Sequence, residues 1–164
     1  MKFLTTILLI AVLAITASCG PYAQRYTGPA VTAIVVHKAE RRMYLLHGNE
    51  VLKDYKIGLG GNPNGPKQFE GDYKTPEGAY LIDRRNPNST YHLSLGISYP
   101  NDADRERAAA AGKKTGGDIF IHGRDGKNRG KGKDWTAGCI AVKDREIEEI
   151  YWMVQVGTPI FITP

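Results

Sequence analysis

The stretch IHGRDGKNRGKGKDWTAGCIAV, residues 121–142, is where the reading of this 164-residue chain turns. It sets His122 and Cys139 at the two ends of one basic, glycine-rich loop, with Gly123 and Gly138 beside them. Apolar residues lead in (Ile119, Phe120, Ile121) and out (Ile140, Ala141, Val142). A loop that leaves one strand and returns beside it can bring the two side chains together. A thiol is a weak nucleophile at neutral pH because its ordinary pKa is about 8.5, and a neighbouring imidazole can take its proton and hold the thiolate as an ion pair. The small-residue turn Thr-x-Gly-Cys can expose a nucleophile and present main-chain N–H groups to an oxyanion. Cys139 is also the only cysteine outside the N-terminal segment. The same pattern fits a small core cysteine near an ordinary strand-end histidine, and spacing alone does not choose between them.

Working outward, strands dominate. Residues 31–37, 43–46 and 51–57 are β-branched and alternating, with Gly48 and Asn49 as a turn, and read as an antiparallel meander. Residues 58–71 read as loop, and residues 79–82 and 91–95 as further strands. Residues 102–111 form an alanine-rich helix capped by Asn101, with Asp102 and Asp104 near its positive end. Residues 118–122 read as a strand buried on both faces, and residues 140–142 as a short one. Asp144 caps a helix to about residue 156 with Ile147, Ile150, Tyr151 and Val154 on one face, and residues 158–162 close the sheet. The fold class is therefore mainly β with appended α-helices, in a single domain.

The first 18 residues stand apart. Lys2 precedes an apolar run from Phe3 to Ile15, too short for a confident membrane span, and small residues lead to Cys19. This resembles a bacterial lipoprotein signal in which Cys19 is lipidated and anchors the chain to a membrane; Thr16 departs from the usual box, and ordinary secretion is the alternative. Residues 19–30 then read as a flexible tether and residues 31–164 as the folded domain. The expected location is the periplasm or cell envelope.

The formal charge is +5, from 22 basic and 17 acidic residues. Arg124, Lys127, Arg129, Lys131 and Lys133 lie between the two candidate catalytic residues, opposed by Asp125 and Asp134. Such a rim favours an anionic substrate, and a solvated loop is the plainer reading. Nucleic acid is disfavoured because no aromatics interleave with the basic residues. No spacing suits a metal, and no cofactor is expected.

These residues resemble the L,D-transpeptidase catalytic domain, or YkuD, family. Its signature is a strand ending in His-Gly, a loop of variable length, then Ser or Thr, any residue, Gly, Cys and an apolar residue. The likeness extends through GDYKTPEGAY, residues 71–80, and GTPIFI, residues 157–162. It implies a YkuD-like mixed β-sandwich and cysteine-dependent acyl transfer on peptidoglycan stem peptides at the diaminopimelate amide. Carried over, Cys139 is the nucleophile and His122 the base. The carbonyl of Gly123 fixes the imidazole tautomer, and N–H groups around Gly138 and Cys139 form the oxyanion hole. His92, Tyr99, Trp135, Thr136 and Arg124 become candidates for substrate contact. Two departures are Ala141, where many members carry Arg, and Ala137, where many carry His. The form Trp-Thr-x-Gly-Cys-Ile-Ala lies nearest the YafK-like branch. That branch implies two outcomes, transpeptidation or hydrolytic release of a lipoprotein from peptidoglycan. Sortase-like and papain-like peptidases fit poorly on residue order. A non-catalytic peptidoglycan-binding envelope module is the remaining alternative.

Overall fold

Alternation in the first body segment builds what it predicts. Strands β1 (Ala33–His37), β2 (Arg42–His47) and β3 (Glu50–Lys56) form an antiparallel meander. Ile34, Val36, Met43 and Leu45 point into the core and are fully buried. The computed structural model describes residues 26–125 and 132–164. Cys19 and the leader expected around it, most of the tether, and Lys127, Arg129 and Lys131 lie outside the described residues.

The remaining elements are β4 (Gly78–Ser89), β5 (His92–Ile97), α1 (Asp102–Ala110), β6 (Phe120–His122), β7 (Ile140–Ala141), α2 (Asp144–Met153) and β8 (Pro159–Thr163). They make one mixed eight-stranded sheet in the order β3-β2-β1-β8-β4-β5-β6-β7. The pairs β1–β8 and β6–β7 are parallel and the rest antiparallel. The sheet curls until its ends meet: Gly58, just past β3, exchanges two main-chain hydrogen bonds of 2.8 Å with Ala141 of β7. Helix α2 lies on β5 and β6, with Ile147, Ile150, Tyr151 and Val154 buried as the sequence predicts. Asn101 caps α1 reciprocally with Asp104.

Four details differ from expectation. Strand β4 runs on to Ser89, past the polar Asp83-Arg84-Arg85. Beyond Leu81 its register partners lie only on β5, so polar side chains and Pro87 are tolerated there. Phe120 is not buried on both faces with its neighbours; it points outward, half-buried under the Arg84 guanidinium at 4.5 Å, while Ile119 and Ile121 point inward. Helix α2 ends at Met153 and its N-cap is Lys143, which leaves Asp144 as the first helical residue. Strand β6 begins at Phe120 rather than at residue 118. The final strand joins the sheet at its centre, parallel to β1 and antiparallel to β4.

Candidate functional site

Strands β6 and β7 position the two reacting candidates. Parallel pairing sets Ile121 opposite Ile140 and His122 opposite Ala141. Cys139 directly precedes β7, so its Cα lies roughly 8 Å from that of His122, given strands about 4.8 Å apart rising about 3.3 Å per residue. The core grips the two apolar partners, Ile121 and Ile140, both fully buried.

His122 is 3% exposed. Its Nδ1 lies 2.7 Å from the Gly123 carbonyl, which makes Nδ1 the donor and leaves the Nε2 lone pair to accept a proton. Burial pushes the imidazole below its ordinary range, against the raising effect of that hydrogen bond, and the Arg124 charge lowers it further. Tyr91 stacks on the ring at 4.5 Å, and Trp135 meets it edge-on at 5.7 Å. Cys139 is half-buried, and its Sγ donates to the Asp118 carbonyl at 3.5 Å. Burial pushes the thiol up, partly offset by the Phe120 N–H. Burial thus works against charge on both side chains, lowering the imidazole and raising the thiol.

The turn that carries Cys139 is fastened from within. The Thr136 hydroxyl donates to the Cys139 carbonyl at 2.7 Å and accepts from the Gly138 N–H at 3.1 Å. Thr136, 5% exposed, thus braces the turn that carries Cys139. The Gly138 N–H is already committed, so what Gly138 brings is its backbone: φ is +138°, and a Cβ would stand 2.7 Å from the Lys74 carbonyl. That carbonyl belongs to the loop of residues 67–75, which walls the turn. The loop is organised by Asp72, whose carboxylate accepts from Lys67 Nζ and from the N–H groups of Gln68, Phe69 and Lys74. These bonds outweigh its burial and hold it below the usual carboxylate range.

On the other side, Asp144 Oδ1 accepts from the N–H groups of Arg124 (2.5 Å) and Asp125 (3.1 Å), fixing the chain as it leaves His122. The Arg124 guanidinium lies over Trp135, 5.4 Å from the ring centre. Among the described residues, Trp135 Nε1 is the buried side-chain donor without an acceptor. Asp134 takes both Nε and Nη2 of Arg41 and the Leu59 N–H, tying the far end of the basic loop to the meander.

The structure thus brings together His122, Gly123, Arg124, Trp135, Thr136, Gly138 and Cys139. It sets two candidates apart. His92 turns to α2, with Nε2 2.7 Å from Glu148 Oε1. Tyr99 is 5% exposed, packs edge-on to Tyr80 and donates to the Thr115 carbonyl. Sequence reasoning missed Tyr91 and the anchoring carboxylates Asp72, Asp134 and Asp144. Tyr91 lies beside the histidine that drew attention, and a helix-start aspartate reads equally well as a plain cap.

Residues 31–162 match the family described as YkuD, the L,D-transpeptidase catalytic domain. The chain belongs to the YkuD family. It is 33% identical over 150 residues to YafK of Escherichia coli strain K12, which covers 87% of this chain and 54% of that protein. Pgp2 of Campylobacter jejuni, described as a helical cell shape determining protein, aligns with a TM-score of 0.64 at 27% identity, over 84% of this chain and 49% of that one. An L,D-transpeptidase from Mycobacterium smegmatis, 16% identical, shares the fold with a TM-score of 0.55 over 82% of this chain and 59% of its own. The chain spans about half the length of YafK and Pgp2. In this YkuD domain, residue 141 is an alanine, 1% exposed, with its main-chain N–H and carbonyl both bonded to Gly58.

Proposed function

We propose that this YkuD domain carries out cysteine-dependent acyl transfer on peptidoglycan stem peptides, at the amide that follows diaminopimelate. The observation that carries the reading is the buried His122, tautomer-fixed by the Gly123 carbonyl, on the strand that pairs with the one leaving Cys139. In the proposed step, Sγ of Cys139 bonds to the amide carbonyl carbon as its proton passes to His122 Nε2. The C–N bond then breaks, the leaving amine takes that proton, and a thioester remains on Cys139. An incoming amine or water attacks the thioester, His122 takes its proton, and the proton returns to Sγ. An amine acceptor completes L,D-transpeptidation; water gives hydrolysis. Gly138 supports the step by holding the turn, and the location proposed is the cell envelope, where this substrate is found.

Ala141 favours the hydrolytic outcome as a second reading, since the cation many members use to hold substrate at that position is missing. Mass spectrometry of muropeptides, after sacculi carrying covalently attached lipoprotein are incubated with the protein, separates the two. New stem-to-stem links that vanish with Cys139→Ala support transfer. Released lipoprotein with free diaminopimelate ends and no new links supports hydrolysis. Products formed equally by Cys139→Ala would end both.

A further inference from the structure

We propose that Arg124 determines specificity in this site by binding a free carboxylate of the substrate next to the amide under attack. The inference rests on the acyl-transfer reading above and deepens it. Arg124 is fixed at its root: its N–H is held by Asp144, one residue beyond the Gly123 carbonyl that orients His122. Its guanidinium lies over Trp135, which itself stands edge-on to His122. On its far side, Nη2 comes within 3.7 Å of the point where a Cβ on Gly58 would sit, and Gly58 is the partner of Ala141. The cation thus spans the rim from the aromatic wall to the strand that leaves the nucleophile.

Three further observations favour this residue. Its charge reaches the reacting histidine, whose pKa it lowers. Lys67, the cation that acts on Cys139, is 3% exposed and committed to Asp72 and the Phe69 carbonyl. Arg124 is half-buried, where charge is screened less than at an open surface. Its planar fork carries five donors, so an internal partner leaves others to meet a carboxylate side-on.

The experiment compares two synthetic stem tetrapeptides that differ only at the diaminopimelate carboxyl group, free in one and carboxamide in the other. The readout is the ratio of kcat/KM for the two substrates, in which the fraction of correctly folded enzyme cancels. Wild-type protein is expected to favour the free acid about tenfold or more, the discrimination equivalent to about 1.4 kcal/mol. Arg124→Gln should bring the ratio near one, chiefly through a higher KM for the free acid, and Arg124→Lys should fall between. A ratio in Arg124→Gln equal to wild type would overturn the inference while leaving acyl transfer standing. Wild-type turnover of neither peptide would overturn the reaction itself, and the inference with it.

Discussion

At the scale of single residues, the chemistry depends on a proton count. Burial lowers the His122 imidazole from its ordinary pKa of about 6.5 and raises the Cys139 thiol from its ordinary value of about 8.5. Both shifts favour the uncharged pair, in which the thiol holds the proton that the proposed step passes to Nε2. The expected pH profile of kcat/KM is a wide plateau. Its acid limb falls below about 6.5, where His122 is protonated, and its alkaline limb lies above about 8.5, where the thiol proton is lost. A limb inside that window would contradict the assignment. Stability follows the same signs. As pH falls below about 6.5 the unfolded histidine takes up a proton that the folded one resists, so stability drops; past about 8.5 the unfolded thiol ionises first, and stability drops again. Chemical denaturation across pH reads both. The sequence discloses which residues can pair, but desolvation depends on what packs over them, and Tyr91 and Trp135 are placed over His122 only by the folded chain.

At the scale of elements, the turn that carries Cys139 behaves as a part of its own. Thr136 closes it with two hydrogen bonds, one to the Cys139 carbonyl. Thr136→Val keeps the shape and removes both, leaving a buried N–H and carbonyl unpaired. Stability is expected to fall by about 1–2 kcal/mol. Turnover should fall by a larger factor than that loss explains, because Cys139 is no longer held in place. Thermal melting and kcat on the same preparation check this; a kcat within about twofold of wild type would show that the brace is not needed. The meander, α1 and the buried face of α2 were legible because period and caps are local signals. The extension of β4 was not, since polar residues on a strand with one partner look like loop. The outward Phe120 was not, since three apolar residues in a row hide an alternation that only the Arg84 cover reveals.

At the scale of the whole molecule, the site exists because distant segments are pinned to one another. Lys38, at the end of β1, is 2% exposed, and its ammonium meets the Gly65 and Thr75 carbonyls and Glu77. It fastens the loop that walls the nucleophile turn to the central sheet. Lys38→Met would leave Glu77 and two carbonyls without their partner and should cost about 3 kcal/mol, measured by urea unfolding. A loss under about 1 kcal/mol would show that the loop holds by other means. Such long-range ties, like the central place of β8 and the closure of Gly58 onto Ala141, leave no local pattern to read. In the proposed reaction Cys139 carries the acyl group. Intact-protein mass spectrometry after acid quench of the protein with a stem tetrapeptide looks for that intermediate. An adduct of the acyl-tripeptide mass is expected to map to Cys139 and to disappear, with turnover, in Cys139→Ala. Turnover that persists in Cys139→Ala, or an adduct that maps elsewhere, would contradict it.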